Sequence, residues 1–254
     1  MEKIPQAKYL SVFDKFENKE VRSTRGYFSG YKPKGITEQT NRLRELFPGL
    51  GFVNFDYQKK VESGEIKPPD GTEGWFAIPN WQKNEKIFGK TYSEAVCFVL
   101  ALLKRARAGR FFNYHEGQIT ETQLRQSVES QKFWAALAEA QGNPDILIVP
   151  AQFGIRHRGR SVHEAREVFA LGEFGLGAFA IGIMILTHPE RLLKNYDDLW
   201  INCPGDESDY PDPDGRFVGA PHFKFHDGRV KFGTAWCRCS SGNEGSASGF
   251  VPQN

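Results

Sequence analysis

Between Phe153 and Glu167 the chain reads FGIRHRGRSVHEARE, a dense grouping of residues able to do chemistry. Three chemistries fit parts of it. HEARE approaches the H-E-x-x-H helix of metalloproteases, in which two imidazoles one turn apart hold a metal and the glutamate works on its bound water. Here the i+4 position is Glu167, so His163 and Glu167 could share a metal only with a third ligand that the spacing does not supply. Glu164 also has a structural use, as the third residue of a capping box SVHE begun by Ser161. Arg156, Arg158 and Arg160 stand immediately ahead of that helix start. A helix N-terminus is already partly positive, so each cation there is unfavourable by about 0.3–1 kcal/mol. An anion would relieve this. It could be a phosphate on the free amides, with Gly154 and Gly159 admitting it to the backbone. It could equally be one of the chain's own carboxylates, with Glu164, Glu167 and Glu173 near in sequence.

A second basic group lies in APHFKFHDGRVKFGTAW, which reads as a β-hairpin turning at Asp227-Gly228. Strand alternation puts His222, Lys224 and His226 opposite Phe223 and Phe225, and Arg229 and Lys231 opposite Val230 and Phe232. One face of the ribbon is therefore basic, and such a ribbon can track a phosphate backbone. KRARAGR at 104–110 ends a helix, where cations complement the dipole. The sulfurs of CRC at 237–239 and Cys203 lack the usual C-x₂₋₄-C zinc spacing, and free thiols are the simpler reading. GDESDYPDPDG matches a calcium loop only in part and reads as a hydrated acidic loop. His115 and Glu116 are adjacent on a strand end and point to opposite faces, so they do not pair as acid and base. No nucleotide-binding glycine loop or serine-nucleophile motif is present.

The elements that must position these groups follow from periodicity and end signals. TEQTNRLRELFPG reads as a helix stopped by Pro48-Gly49, GFVNFDY as a strand, and WFAIPNW as an edge strand or loop. Capping-box patterns at Thr91, Thr120, Ser161 and Thr187 predict helices over about 92–108 and 121–141, from 162 toward Gly172, and after Thr187. DILIVPAQF reads as a buried strand and DDLWINC as another. FGLGAFAIGIMIL is too short for a membrane span and reads as a core helix. SSGNEGSASG reads as a flexible tract. The expected fold is α+β, with a helix-rich centre, a small antiparallel sheet and a C-terminal β-hairpin. Residues 1–35 are expected to form a polar arm and 36–254 a single domain.

With 254 residues, 25% of them charged and a net charge of +2, the chain can bury a core, and its overall charge implies no polyanionic partner. Four cysteines and no export signal point to a cytoplasmic setting. The segments VPAQFGIRHRGRSV, EFGLGAFAIGIMILTHPERL and YDDLWINCPGDE resemble a group of uncharacterised bacterial proteins, over roughly Trp75 to Val251. The resemblance implies a bacterial, cytoplasmic origin and transfers no site residue. The expected function is binding of a phosphate-bearing partner, nucleic acid foremost, through Arg156, Arg158, Arg160, Lys224, Arg229 and Lys231. The alternative is a hydrolase, in one form metal-assisted, using His115, His163 and Glu167. Cofactor and oligomeric state are written in no motif, and no metal is assigned.

Overall fold

A computed structural model describes residues 20–193, 198–209 and 216–252. Its architecture is α+β, with an antiparallel sheet and a mixed sheet. The first sheet has strand order β1 (Gly74–Pro79), β4 (Ile146–Gln152), β11 (Ser248–Phe250), β5 (Glu173–Gly175). β4 is buried at every position, as the unbroken apolar run ILIV requires of a central strand. β1 is the edge, where Pro79 costs no ladder bond. The second sheet is built around the hairpin of β8 (Gly219–His226) and β9 (Arg229–Trp236). Asp227 and Gly228 both have positive φ, the backbone of the type I′ turn that the Asp-Gly pair predicts. β6 (Trp200–Asn202) and β10 (Glu244–Ser246) extend the sheet beyond β8, while β2 (Phe111–Asn113) extends it beyond β9. β3 (Leu124–Gln126) and β7 (Asp206–Ser208) pair with each other, and β7 joins the start of β8.

Seven α-helices surround these sheets among the described residues: α1 (Ile36–Leu46), α2 (Phe55–Glu62), α3 (Glu85–Phe88), α4 (Tyr92–Ala106), α5 (Val128–Ala140), α6 (Val162–Glu167) and α7 (Ala178–Thr187). α7 is buried at all ten positions and packs along α4, where Gly182 leaves room for Val99. At this length α7 is a core helix. No helix among the described residues is long and apolar enough to cross a membrane.

Several expectations are corrected. GFVNFDY is not a strand: Asn54 accepts from the Tyr57 amide and starts α2. Thr120 starts no helix; β3 intervenes, and Ser127 caps α5 instead. Thr187 ends α7, its hydroxyl turned back to the carbonyls of Ile183 and Met184. The apolar run divides into β5 and α7, and α6 stops at Glu167. Only Thr91 completes a capping box; Ser161 caps the Glu164 amide without the reciprocal bond. The serine- and glycine-rich tract is not a loose tail. It supplies β10 and β11, and small residues are needed because a Cβ at Gly249 would come within 2.9 Å of the Phe174 ring. Tyr31, in the described part of the arm, is buried against Phe153 and His188; residues 1–19 of that arm lie outside the described residues.

Candidate functional site

The arginine-rich stretch runs from β4 through a 3₁₀ turn (Ile155–His157) into α6. Its central anion is Glu173, 3% exposed at the start of β5. Glu173 Oε1 lies 2.7 Å from His157 Nε2 and accepts from Ser248 Oγ at 2.6 Å. Oε2 accepts from Arg156 Nε at 3.2 Å and from the Ala170 amide at 3.0 Å. Burial alone would raise this carboxyl; the bonds from His157, Ser248 and the Ala170 amide hold it at about 2. Arg160 pairs with Glu20 at 3.0 Å and stands 4.0 Å from Glu164. Arg158 donates to the carbonyl of Arg25. Each of the three arginines therefore has an acceptor within the chain, and two of the acceptors are carboxylates.

The hairpin residues sit differently. Strand pairing places Phe112 beside Lys231 and Lys231 beside Lys224, with Glu244 beside Trp200. Lys224 Nζ stands 4.7 Å from the Trp200 ring centroid, so Trp200 on β6 shares this face. One row thus crosses five strands as Phe112, Lys231, Lys224, Trp200, Glu244. A second row carries Gly233, His222, Asn202 and Ser246. Tyr114 covers Gly233: a Cβ there would lie 3.2 Å from the Tyr114 ring and 3.5 Å from His222. Phe112 and Tyr114 are 43% and 51% exposed, large values for rings whose centroids lie 4.8 Å apart. Lys224 also lies 6.0 Å from the Tyr114 centroid, between the two aromatic groups. Lys224 and Arg229 form no ion pair among the described residues, whereas Lys231 pairs with Asp227 at 2.7 Å. His222 is 6% exposed and stacks on Trp200 at 16°; burial, with Lys224 adding repulsion, lowers its pKa to about 3.

The basic ribbon face is legible from alternation alone. Its aromatic partners are not, because Phe112, Tyr114 and Trp200 reach it only through pairing across the sheet. The i, i+2 spacing of the two rings in FFNY is the one signal that points to them.

The residues of the hydrolytic alternative stay apart in their contacts. His115 Nε2 lies 3.1 Å from Thr234 Oγ1, whereas His163 stands 3.2 Å from Glu167 on the exposed side of α6. No hydrogen bond or ion pair joins His115 to either. Burial lowers the His115 pKa. None of the four cysteines is in a disulfide, and Cys203 and Cys237 are buried. Among the described residues no three of His, Cys, Asp and Glu gather into a metal-holding group. Asp212 and Asp214 of the acidic loop lie outside the described residues, and Asp206 is on β7 rather than in a loop.

Asp206, expected from the sequence in a hydrated loop, is instead the carboxylate that receives the first amide of α7. It is fully buried at the N-terminus of α7, accepting from Tyr92 Oη at 2.6 Å and from the Ala178 amide at 2.7 Å. Burial drives its pKa up to about 7 against those two bonds. Arg166 supports the same turn through the carbonyls of Pro204 and Asp206. Comparison with protein-family models, with curated proteins and with solved structures finds no match for this chain.

Proposed function

We propose that the chain binds single-stranded nucleic acid across the sheet face formed by β2, β9, β8 and β6. The observation that carries the reading is the row Phe112, Lys231, Lys224, Trp200, with Tyr114 beside it. Single strands are held by aromatic rings on which bases stack and by cations that track the backbone, and both are tolerant of sequence. On this face, Lys224 lies between two aromatic groups, and Arg229 extends the positive charge toward the hairpin turn. The role expected for Arg156 and Arg160 passes to the sheet, because their charge is answered by Glu173 and Glu20. Arg158 remains at the surface as a secondary phosphate contact.

The test is titration of the full chain with labelled single-stranded DNA and RNA of about a dozen nucleotides, within the site sizes of sheet-based binders. Binding at low salt that weakens with Tyr114→Ala and with Lys224→Ala supports the proposal. No binding at low salt, or binding indifferent to both variants, overturns it.

A further inference from the structure

We propose a second, separate site: a surface basin that binds a neutral saccharide unit. It lies between the turn after β1, the start of α4, β3 and the first turn of α5, and its volume is about 300 Å³. That is the lower end of the roughly 300–1,000 Å³ in which proteins hold small ligands. Trp81, half-buried, forms part of its wall, and the Tyr92 ring centroid lies 5.8 Å from that of Trp81.

The group that marks the basin as a site is the carboxamide of Gln126. Along β3, Leu124 and Gln126 are buried and Arg125 is exposed, so Leu124 and Gln126 share the inward face, and both line the basin. Gln126 is only 7% exposed, and its carboxamide has no hydrogen-bond partner among the described residues. Neither atom of that carboxamide is sealed from solvent, so both reach open space. A crevice behind the basin, which Gln126 also lines, has about 30 Å³ and takes no more than a water. A ligand group must meet Gln126 from the basin.

The other polar groups identify the ligand. Gln131, on α5, donates through Nε2 to the Gln126 carbonyl and keeps its Oε1 as an acceptor. Gln82, exposed after β1, has no partner for its carboxamide among the described residues. Three carboxamides therefore border one basin, each pairing an acceptor oxygen with a donor nitrogen. A sugar hydroxyl is likewise both donor and acceptor, and neighbouring hydroxyls on a pyranose match such groups in pairs. Trp81 supplies the flat apolar surface against which the C–H face of the ring lies. Charge argues the same way. Lys90, Glu121 and Arg125 are exposed and of mixed sign, and Arg125 is already paired with Glu207 at 2.7 Å. A charged ligand would gain only solvent-screened contacts from them while losing its own hydration. A neutral polyol loses less and is matched by the carboxamides.

The site is tested by calorimetry of the full chain with the methyl glycosides of glucose, galactose and mannose, with N-acetylglucosamine, and with maltotriose and chitotriose. Alanine and glutamate serve as zwitterionic and charged comparators. Saturable binding of at least one saccharide is expected, weakened about tenfold by Gln126→Leu and by Trp81→Ala and unchanged by Tyr114→Ala. Gln126→Leu keeps the bulk and removes an unpaired carboxamide, so its urea midpoint should equal or exceed that of the parent. If Trp81→Ala fails to fold, Gln131→Ala, at an exposed position on α5, takes its place and must weaken binding too. The proposal is overturned if no saccharide binds at tens of millimolar, or if alanine or glutamate binds in place of the saccharides. It is overturned equally if Gln126→Leu folds and binds as the parent does. Saccharide binding that Tyr114→Ala removes and Gln126→Leu does not belongs to the sheet face, and it too overturns this site while leaving the sheet proposal standing.

Discussion

His157 Nε2 stands 2.7 Å from Glu173 Oε1, with both side chains almost wholly out of solvent. This one contact, joined by Arg156 and Ser248 on the same carboxylate, ties the 3₁₀ turn after β4 to β5 and β11. Removing one partner of a buried pair leaves the other uncompensated and is strongly destabilising, typically by about 3–5 kcal/mol. Glu173→Ala should therefore lower the urea midpoint sharply. Glu173→Gln, which keeps an acceptor and the shape, should cost less. A midpoint shift near zero for Glu173→Ala would show that the network contributes nothing net.

The same carboxyl gives an acid limb. Its pKa falls from 4.5 to about 2 on folding, so the folded state binds fewer protons in that window. Its contribution is complete above about 4.5 and is lost as pH falls toward 2, a change of roughly 2–3 kcal/mol. Stability measured against pH should fall less steeply between 4.5 and 2 in Glu173→Gln than in the parent.

Asp206 has the opposite sign. Its pKa rises from 3.8 to about 7, so the folded state holds the proton longer and stability is lost as pH climbs through that range. The size is on the order of 4 kcal/mol. His188 and His222, lowered by burial to about 4 and about 3, work in the other direction over much of the range. The effect is therefore read as a difference. The stability gap between Asp206→Asn and the parent should narrow steadily from pH 4 to pH 7, and a constant gap would refute the assignment.

Gly177 is required by space rather than by conformation. Its φ of −92° is open to any residue, but a Cβ would overlap both Asp206 Oδ1 and Tyr92 Oη. Gly177→Ala should destabilise by about 1–3 kcal/mol, the usual cost of overpacking. Gly35, the residue before α1, has open space around it, and Gly35→Ala serves as the control in the same denaturation series.

For the sheet face, affinity for single strands should fall steeply with salt. Loss of one phosphate contact reduces the slope of log K against log salt by about 0.7. Lys224→Ala should show that reduction. Tyr114→Ala should weaken binding by about 1–3 kcal/mol at unchanged slope, because stacking releases no counterions. Equal slopes for Lys224→Ala and the parent would place the phosphate elsewhere.

Local signals carried most of the elements. The Thr91 capping box, the Asp227-Gly228 turn and the apolar run of β4 are each written in neighbouring residues, and each forms as its pattern predicts. Where the chain reuses the same grammar for another purpose, pattern alone misleads. Thr120 and Thr187 stand in capping-box sequences, yet one lies in a turn before β3 and the other closes α7. The glycine- and serine-rich tract looks loose in composition but is drawn into both sheets: a Cβ at Gly249 would crowd the Phe174 ring, and one at Gly245 would overlap the Gly154 carbonyl.

The sequence by itself determined the α+β class, the hairpin and its basic face, since these depend on periodicities of two and of 3.6 residues over short spans. It also posed the question of what answers the charge of Arg156, Arg158 and Arg160. Only the tertiary structure decided that Glu173 and Glu20 supply carboxylates for Arg156 and Arg160. The same holds for Phe112, Tyr114 and Trp200 joining Lys224 on one face, and for Tyr92 meeting Asp206. Those partners are separated by 17 to 140 positions in the chain. Contacts at such range are set by strand register and helix packing, and no local pattern of residues encodes them.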